Sequence, residues 1–241
     1  MKTDKITSIA PATPKRRYDE ACAATHAMDI LGERWAVPVM RELMLGPRRF
    51  SDLKSSINGI SANVLTQRLG SLEAAGVTRR KTLLPPASVQ VYELTEWGYE
   101  AAPILQVMGR WAVRSPMHDP TRPFSATSLM LSLRTMIDQE AAATLDGTIL
   151  LRLDDEDYYW TKADGAIDIG RGAPPKSPRV TISGAPSILA GWFYGGGEDA
   201  MLSAADELTV EGDLNFAMRF ADCFGMPDKA PLPDAKDTAA R

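Results

Sequence analysis

Residues 47–77, PRRFSDLKSSINGISANVLTQRLGSLEAAGV, decide how this chain folds. Asn58-Gly59 is a turn signal, and it divides the stretch into a short helix and a longer one. Ser51 is placed to cap Asp52–Ile57, and Ser61 to cap Ala62–Ala75. In the longer helix Val64, Leu65, Leu69 and Leu72 recur at helical spacing and form a core face. Gly76 closes it. The remaining edge is polar: Ser61, Asn63, Thr66, Gln67 and Arg68. Upstream, the periodicity predicts helices over Ala21–Leu31 and Glu33–Leu45. Pro38 is tolerated only in a first turn, so the second helix starts close to Trp35. Arg48–Phe50 reads as a very short strand. Downstream, Val77–Leu84 and Val89–Leu94 read as two strands of a hairpin. Pro cannot donate to a ladder, so Pro85-Pro86 belongs at the hairpin tip. Thr95 caps a last helix, Glu96–Val113, which Pro103 kinks or delays. Its apolar face is Trp97, Ala101, Ile104, Leu105, Met108 and Trp111.

A helix, a tight turn, a second amphipathic helix and a charged hairpin make a winged helix-turn-helix. In that motif the second helix enters the major groove of double-stranded DNA. Asn63 and Gln67 suit adenine, and Arg68 suits guanine. Ser61 and the free N–H groups beside it suit a phosphate, and Thr66 shares their edge. Arg79, Arg80 and Lys81 on the hairpin, with Arg48 and Arg49 before the motif, are candidate phosphate contacts.

Composition agrees with such a partner. Hydrophobic residues make up 44% and charged residues 24%, a globular balance. The net charge of −4 conceals an asymmetry: residues 1–115 carry 16 Lys and Arg against 11 Asp and Glu, whereas residues 116–241 carry 11 against 20. The first half is therefore the one suited to a polyanion. No apolar run reaches membrane-helix length, and the polar N-terminus lacks the apolar segment of a secretory signal, so the expected compartment is the cytoplasm. The two cysteines, Cys22 and Cys223, make no disulfide framework or metal cluster. His26 and His118 are the only histidines, and neither belongs to a triad or metal-spaced group. The expectation is a non-enzyme with no cofactor.

Residues 22–112 resemble the HxlR-type family of bacterial winged-helix regulators. The resemblance is carried by Cys22, LGERW (Leu31–Trp35), GPRRFSDL (Gly46–Leu53), INGIS (Ile57–Ser61), LTQRLGSLEAAGV (Leu65–Val77), VYELTEWG (Val91–Gly98) and Trp111. It implies a homodimeric transcription factor on an inverted-repeat operator, with the dimer built from Ala21–Leu31 and Glu96–Val113. Two positions depart from the family pattern. Ala23 follows the cysteine where Pro is usual, and Ala62 and Asn63 replace basic or bulky residues, which implies a different operator. Several members of the family use a cysteine matching Cys22 as a redox or electrophile switch. That chemistry requires a thiolate. Arg16, Arg17 and His26 favour one, whereas Asp19 and Glu20 oppose it. A thiol switch with a structural second domain is thus an alternative reading.

Ser115–Arg122 has no periodicity and reads as a linker. Beyond it, a helix (Ser125–Leu145), four strands (Thr148–Leu153, Asp157–Lys162, Ala166–Ile169, Arg179–Ser183), a helix (Ala185–Tyr194), a short strand at Leu208–Val210 and a helix (Leu214–Phe224) are expected. Gly195-Gly196-Gly197 follows a helix and stands beside carboxylates, so it reads as a loop and not a phosphate cradle. The acidic run 154–157 lacks the Gly turn and distal Glu of a calcium loop and reads as a strand connection. Val180–Gly196 and Asp206–Phe224 resemble the sterol carrier protein type 2-like fold. That fold implies an α/β domain around an apolar tunnel, lined here by Trp160, Leu189, Trp192, Phe193, Met201, Phe216, Met218 and Phe220. Each of these residues is otherwise read as part of a packed core.

The fold class expected is α+β: an arm (1–17), a winged helix-turn-helix domain (18–115), a linker (116–124), a sterol-carrier-like domain (125–226) and a tail without fixed structure (227–241). The function expected is a sequence-specific DNA-binding regulator controlled by an apolar small molecule. A carrier of apolar ligands, with the winged helix as an interaction module, is the alternative from another class.

Overall fold

The computed structural model describes residues 18–85, 88–195, 199, 201–202 and 206–232. The arm, the middle of the hairpin tip, Gly196-Gly197 and residues 233–241 lie outside the described residues.

The first half folds as α1 (Ala23–Leu31), α2 (Ala36–Leu43), α3 (Phe50–Ser56), α4 (Ala62–Ala74), β1 (Thr78–Thr82), β2 (Gln90–Leu94), α5 (Glu96–Glu100) and α6 (Ala102–Ala112). Pro38 sits in the first turn of α2, behind Trp35 as N-cap. Pro103 sits in the first turn of α6, so it splits the expected last helix in two at Ala101. Ser61 Oγ accepts the Val64 N–H, and Thr95 Oγ1 accepts the Gly98 N–H. Ser51 does not cap α3, because the helix begins at Phe50, two residues earlier than expected. Arg49 is its N-cap, and the Asp52 carboxylate accepts the Arg49 N–H. Arg48 still makes a single strand-like bridge, to Tyr92.

Val39, Leu43, Leu53, Leu65, Leu69, Leu72 and Leu94 form one closed core under these helices. β1 and β2 pair antiparallel from Thr78–Leu94 to Thr82–Gln90. Gly98 is required where the hairpin meets α5: a Cβ there would stand 2.2 Å from the Val77 carbonyl oxygen.

The second half holds α7 (Ala126–Met136), a 3-10 turn (Ala141–Thr144), β3 (Gly147–Leu153), β4 (Glu156–Ala163), β5 (Ala166–Arg171), β6 (Val180–Gly184), α8 (Pro186–Gly195), β7 (Leu208–Gly212) and α9 (Leu214–Ala221). The expected helix to Leu145 ends at Met136, where Ile137 turns extended and bridges Phe224. The sheet order is β5-β4-β3-β6-β7, with β3 and β6 parallel and the other pairs antiparallel. Asp154-Asp155 forms the β3–β4 turn, whereas Glu156-Asp157, the other half of the acidic run, opens β4. Asp164-Gly165, both at positive φ, turns β4 into β5, as the twist of a tight hairpin requires. Ile149, Leu151, Tyr158, Trp160 and Ile182 on one sheet face pack against α7, α8 and α9 in a second core.

Candidate nucleic-acid interface

The polar edge of α4 faces outward on the core just described. Ser61, Asn63, Thr66 and Gln67 are exposed, and Leu65, Leu69 and Leu72 are buried behind them. Thr66 spends its hydroxyl proton on the Ala62 carbonyl, 3.0 Å away. Asn63 and Gln67 stand one helical turn apart, the spacing at which two amides point the same way.

Arg68 is not part of that edge. Its guanidinium is ion-paired with Glu33, and burial pushes its pKa down. The helical period places Arg68 at the border of the core face, and Glu33, just before α2, claims it.

Arg48 is a second correction. It is 4% exposed and reaches away from the open face into the other domain. Its Nη2 donates to Glu156 at 2.6 Å and to the Tyr158 hydroxyl at 2.8 Å, and its Nη1 donates to Ser56 at 3.2 Å. Burial, then the hydrogen bond to Glu156, pushes the Tyr158 hydroxyl up to about 12. From β5, Arg171 donates to the carbonyls of Pro47 at 2.8 Å and Leu45 at 3.3 Å. Ser125 donates to buried Glu42 at 2.7 Å. The Gly46-Pro47-Arg48 corner is therefore one of the contacts that join the domains. Arg49, one residue on, points outward and is exposed.

The hairpin cations are exposed but already partnered. Arg79 and Lys81 both hold Glu93, at 2.7 and 3.4 Å, and Arg80 holds Glu73 at 3.1 Å. Burial raises the Glu93 carboxyl, but Arg79 and Lys81 outweigh it and leave its pKa below the ordinary value. A phosphate must compete with these carboxylates: Arg80–Glu73 is a surface pair of small net worth, whereas Glu93 is buried between its two cations. Lys54 on α3 is an exposed cation with no ion pair among the described residues, and sequence reasoning passed over it. Its single charge inside a polar helix gave no signal.

The eight residues expected to line a tunnel are core. Trp160, Leu189, Trp192, Phe193, Phe216 and Phe220 are 0–1% exposed, and Met201 and Met218 pack against them half-buried. Phe220 stands edge-on to Trp160 at 4.9 Å and to Phe193 at 5.4 Å between ring centres. Aromatic rings in this arrangement fill space instead of bounding it.

Cys22 is the exposed N-cap of α1. The backbone and hydroxyl of Thr25, then the Ala24 N–H, hold its thiol below the ordinary pKa. His26 pairs with Asp29 at 3.5 Å. Arg16 and Arg17 lie outside the described residues. Cys223 is buried, and burial followed by Asp222 and Asp138 pushes its thiol up to about 11.

Residues 30–119 match the HxlR-like helix-turn-helix family. An uncharacterised HTH-type transcriptional regulator of Bacillus subtilis, YvaP, is 38% identical over 87 residues, which span 36% of this chain and 80% of that protein. The chain belongs to the HxlR family. YodB, an HTH-type transcriptional regulator of the same organism, is also 38% identical over 87 residues, 77% of its length. The solved reduced form of YodB is 31% identical, with a TM-score of 0.38 over 42% of this chain and 100% of that one. This HxlR-type regulator carries a second domain outside those relatives: residues 129–225 match the SCP-2 sterol transfer family. No helix among the described residues is long and apolar enough to cross a membrane.

Proposed function

We propose that this HxlR-type regulator is a homodimer that reads an inverted-repeat operator in the cytoplasm through α4 and answers to an apolar small molecule. The observation that carries the reading is the front of α4, where Asn63 and Gln67 stand exposed on a closed helix-turn-helix core. Arg49, the hairpin cations and Lys54 supply phosphate contacts around it. Two protomers are supported by a second feature. Trp97, Ile104, Val107, Met108 and Trp111 are 39–77% exposed, a stripe of large apolar residues along α5 and α6. Met28 on α1 is also exposed. A patch of this kind marks an interface. The chain is not an enzyme in this reading, since its relatives are regulators and no acid–base or nucleophile set is assembled among the described residues.

Binding to DNA selected from a random pool tests it. Asn63→Ala and Gln67→Ala are each expected to cost about 1–3 kcal/mol on the selected site and to relax the preference at one base pair. Unchanged affinity and unchanged preference in both variants would remove α4 as the reader.

A thiol response is a second reading, favoured by the exposed Cys22 and its lowered pKa. Oxidant or quinone would then release the operator in wild type, and Cys22→Ser would hold it. A Cys22→Ser protein that still responds eliminates this reading.

A further inference from the structure

A cleft of about 620 Å³ opens between the two domains, within the ~300–1,000 Å³ range of small-molecule sites. α2, α6 and α7 form its walls, and Tyr194 of α8 and Met226 close it. α6 turns Ala102, Leu105, Gln106, Gly109 and Val113 toward it. These positions recur three and four apart and share one helix face. Ile104, Val107 and Trp111 of the exposed stripe lie on the opposite face of the same helix, whereas Met108 stands between the two faces and also lines the cleft. Leu131 and Met136 of α7 face α6 across the opening.

The charge of the lining is one-sided. Among the described residues no Asp or Glu lines the cleft, in a chain with 31 acidic residues against 27 basic ones. Arg41, Arg134 and His118 do line it. Arg134 is exposed and makes no ion pair among the described residues. Arg41 shares Glu42 at 2.8 Å, but that carboxylate is fully buried and turned to the joint. A polar point stands in the apolar wall: the hydroxyls of Ser132 and Tyr194 lie 2.5 Å apart.

We propose that this cleft binds an amphiphilic organic anion, its apolar body between α6 and α7 and its acidic head at Arg134 and Arg41. The site lies outside the aromatic core of the second domain and borders it through Leu131, Phe124 and Tyr194. It rests on the regulator reading only for its consequence. α6 is tied to α7 by Arg110, which donates to the Thr135 carbonyl at 2.6 Å. Lys229 and Ala230 hold the end of α6 through the carbonyls of Val113 and Arg114, at 2.9 and 2.7 Å. A body wedged between the helices shifts α6, whose far face carries the dimer stripe. The ligand then biases the spacing of the two α4 helices by its differential affinity for the two arrangements.

Fluorescence titration of the full chain with anilinonaphthalene sulfonate and its uncharged counterpart phenylnaphthylamine tests the site without DNA. The two probes differ only in the sulfonate. One saturable site per chain is expected, at least about tenfold tighter for the sulfonate. Gly109→Leu blocks the cleft: a Cβ at Gly109 meets no heavy atom within 4 Å, and leucine favours a helix more than glycine. This variant is expected to stay folded and to lose the site for both probes. Arg41→Gln with Arg134→Gln is expected to weaken the sulfonate alone. Binding that survives Gly109→Leu, or equal affinity for the two probes, overturns the proposal. Neither result touches operator binding, which is measured separately.

Discussion

Trp160→Ala is expected to destabilise the second domain by about 3–5 kcal/mol, read as a shift in denaturant midpoint at unchanged slope. Trp160 is fully buried on β4, edge-on to Phe220, with α9 packed over it. Removing an indole from such a site leaves a cavity that the sheet cannot close. Trp160→Phe is the control. It keeps an aromatic ring and deletes an indole N–H that has no acceptor among the described residues. Its cost is expected to be well below that of the alanine. A tunnel-lining tryptophan would behave otherwise: alanine would cost little stability and would change ligand affinity. Near-neutral stability in Trp160→Ala would restore the tunnel and place the ligand inside the second domain.

Val107→Glu is expected to separate the protomers and to weaken operator binding by about 100-fold or more, the factor lost when two linked reading heads become one. Val107 is 70% exposed at the centre of the stripe on α6. A surface glutamate has little effect on the fold of a single chain, so its effect reports on association. Buried between two apolar stripes, the same carboxylate is unpaired and costly. Sedimentation at equilibrium reads the assembly, and a filter or gel assay reads the operator. A Val107→Glu protein that remains dimeric would move the interface elsewhere, to α1 or to the second domain.

The elements of the reading head were legible because each has a local cause. Ser61 and Thr95 cap helices by their own hydroxyls, Pro38 and Pro103 sit where proline is tolerated, and Asn58-Gly59 turns the chain. The failures have non-local causes. Arg48 and Arg49 are identical neighbours, and only the bridge to Tyr92 and the partners Glu156 and Tyr158, more than a hundred residues on, turn one inward and leave the other out. Arg68 is drawn off the reading edge by Glu33, which belongs to a different helix boundary. Apolar periodicity told that Trp160, Phe216 and Phe220 are inside, but not whether rings or a ligand fill the space between them. The interdomain cleft was invisible because its walls come from α2, α6, α7, α8 and the segment at Met226, which no motif joins.

The most direct measurement is binding of the purified chain to the DNA upstream of its own gene, at physiological salt, with excess unrelated DNA present. Electrostatic binding alone is removed by the competitor, whereas base reading by Asn63 and Gln67 is not. Saturation of one discrete two-fold site that survives the competitor is the expected result. Loss of all binding to the competitor, repeated on fragments covering the whole genome, would contradict a sequence-reading regulator and leave the winged helix as an interaction module on a carrier.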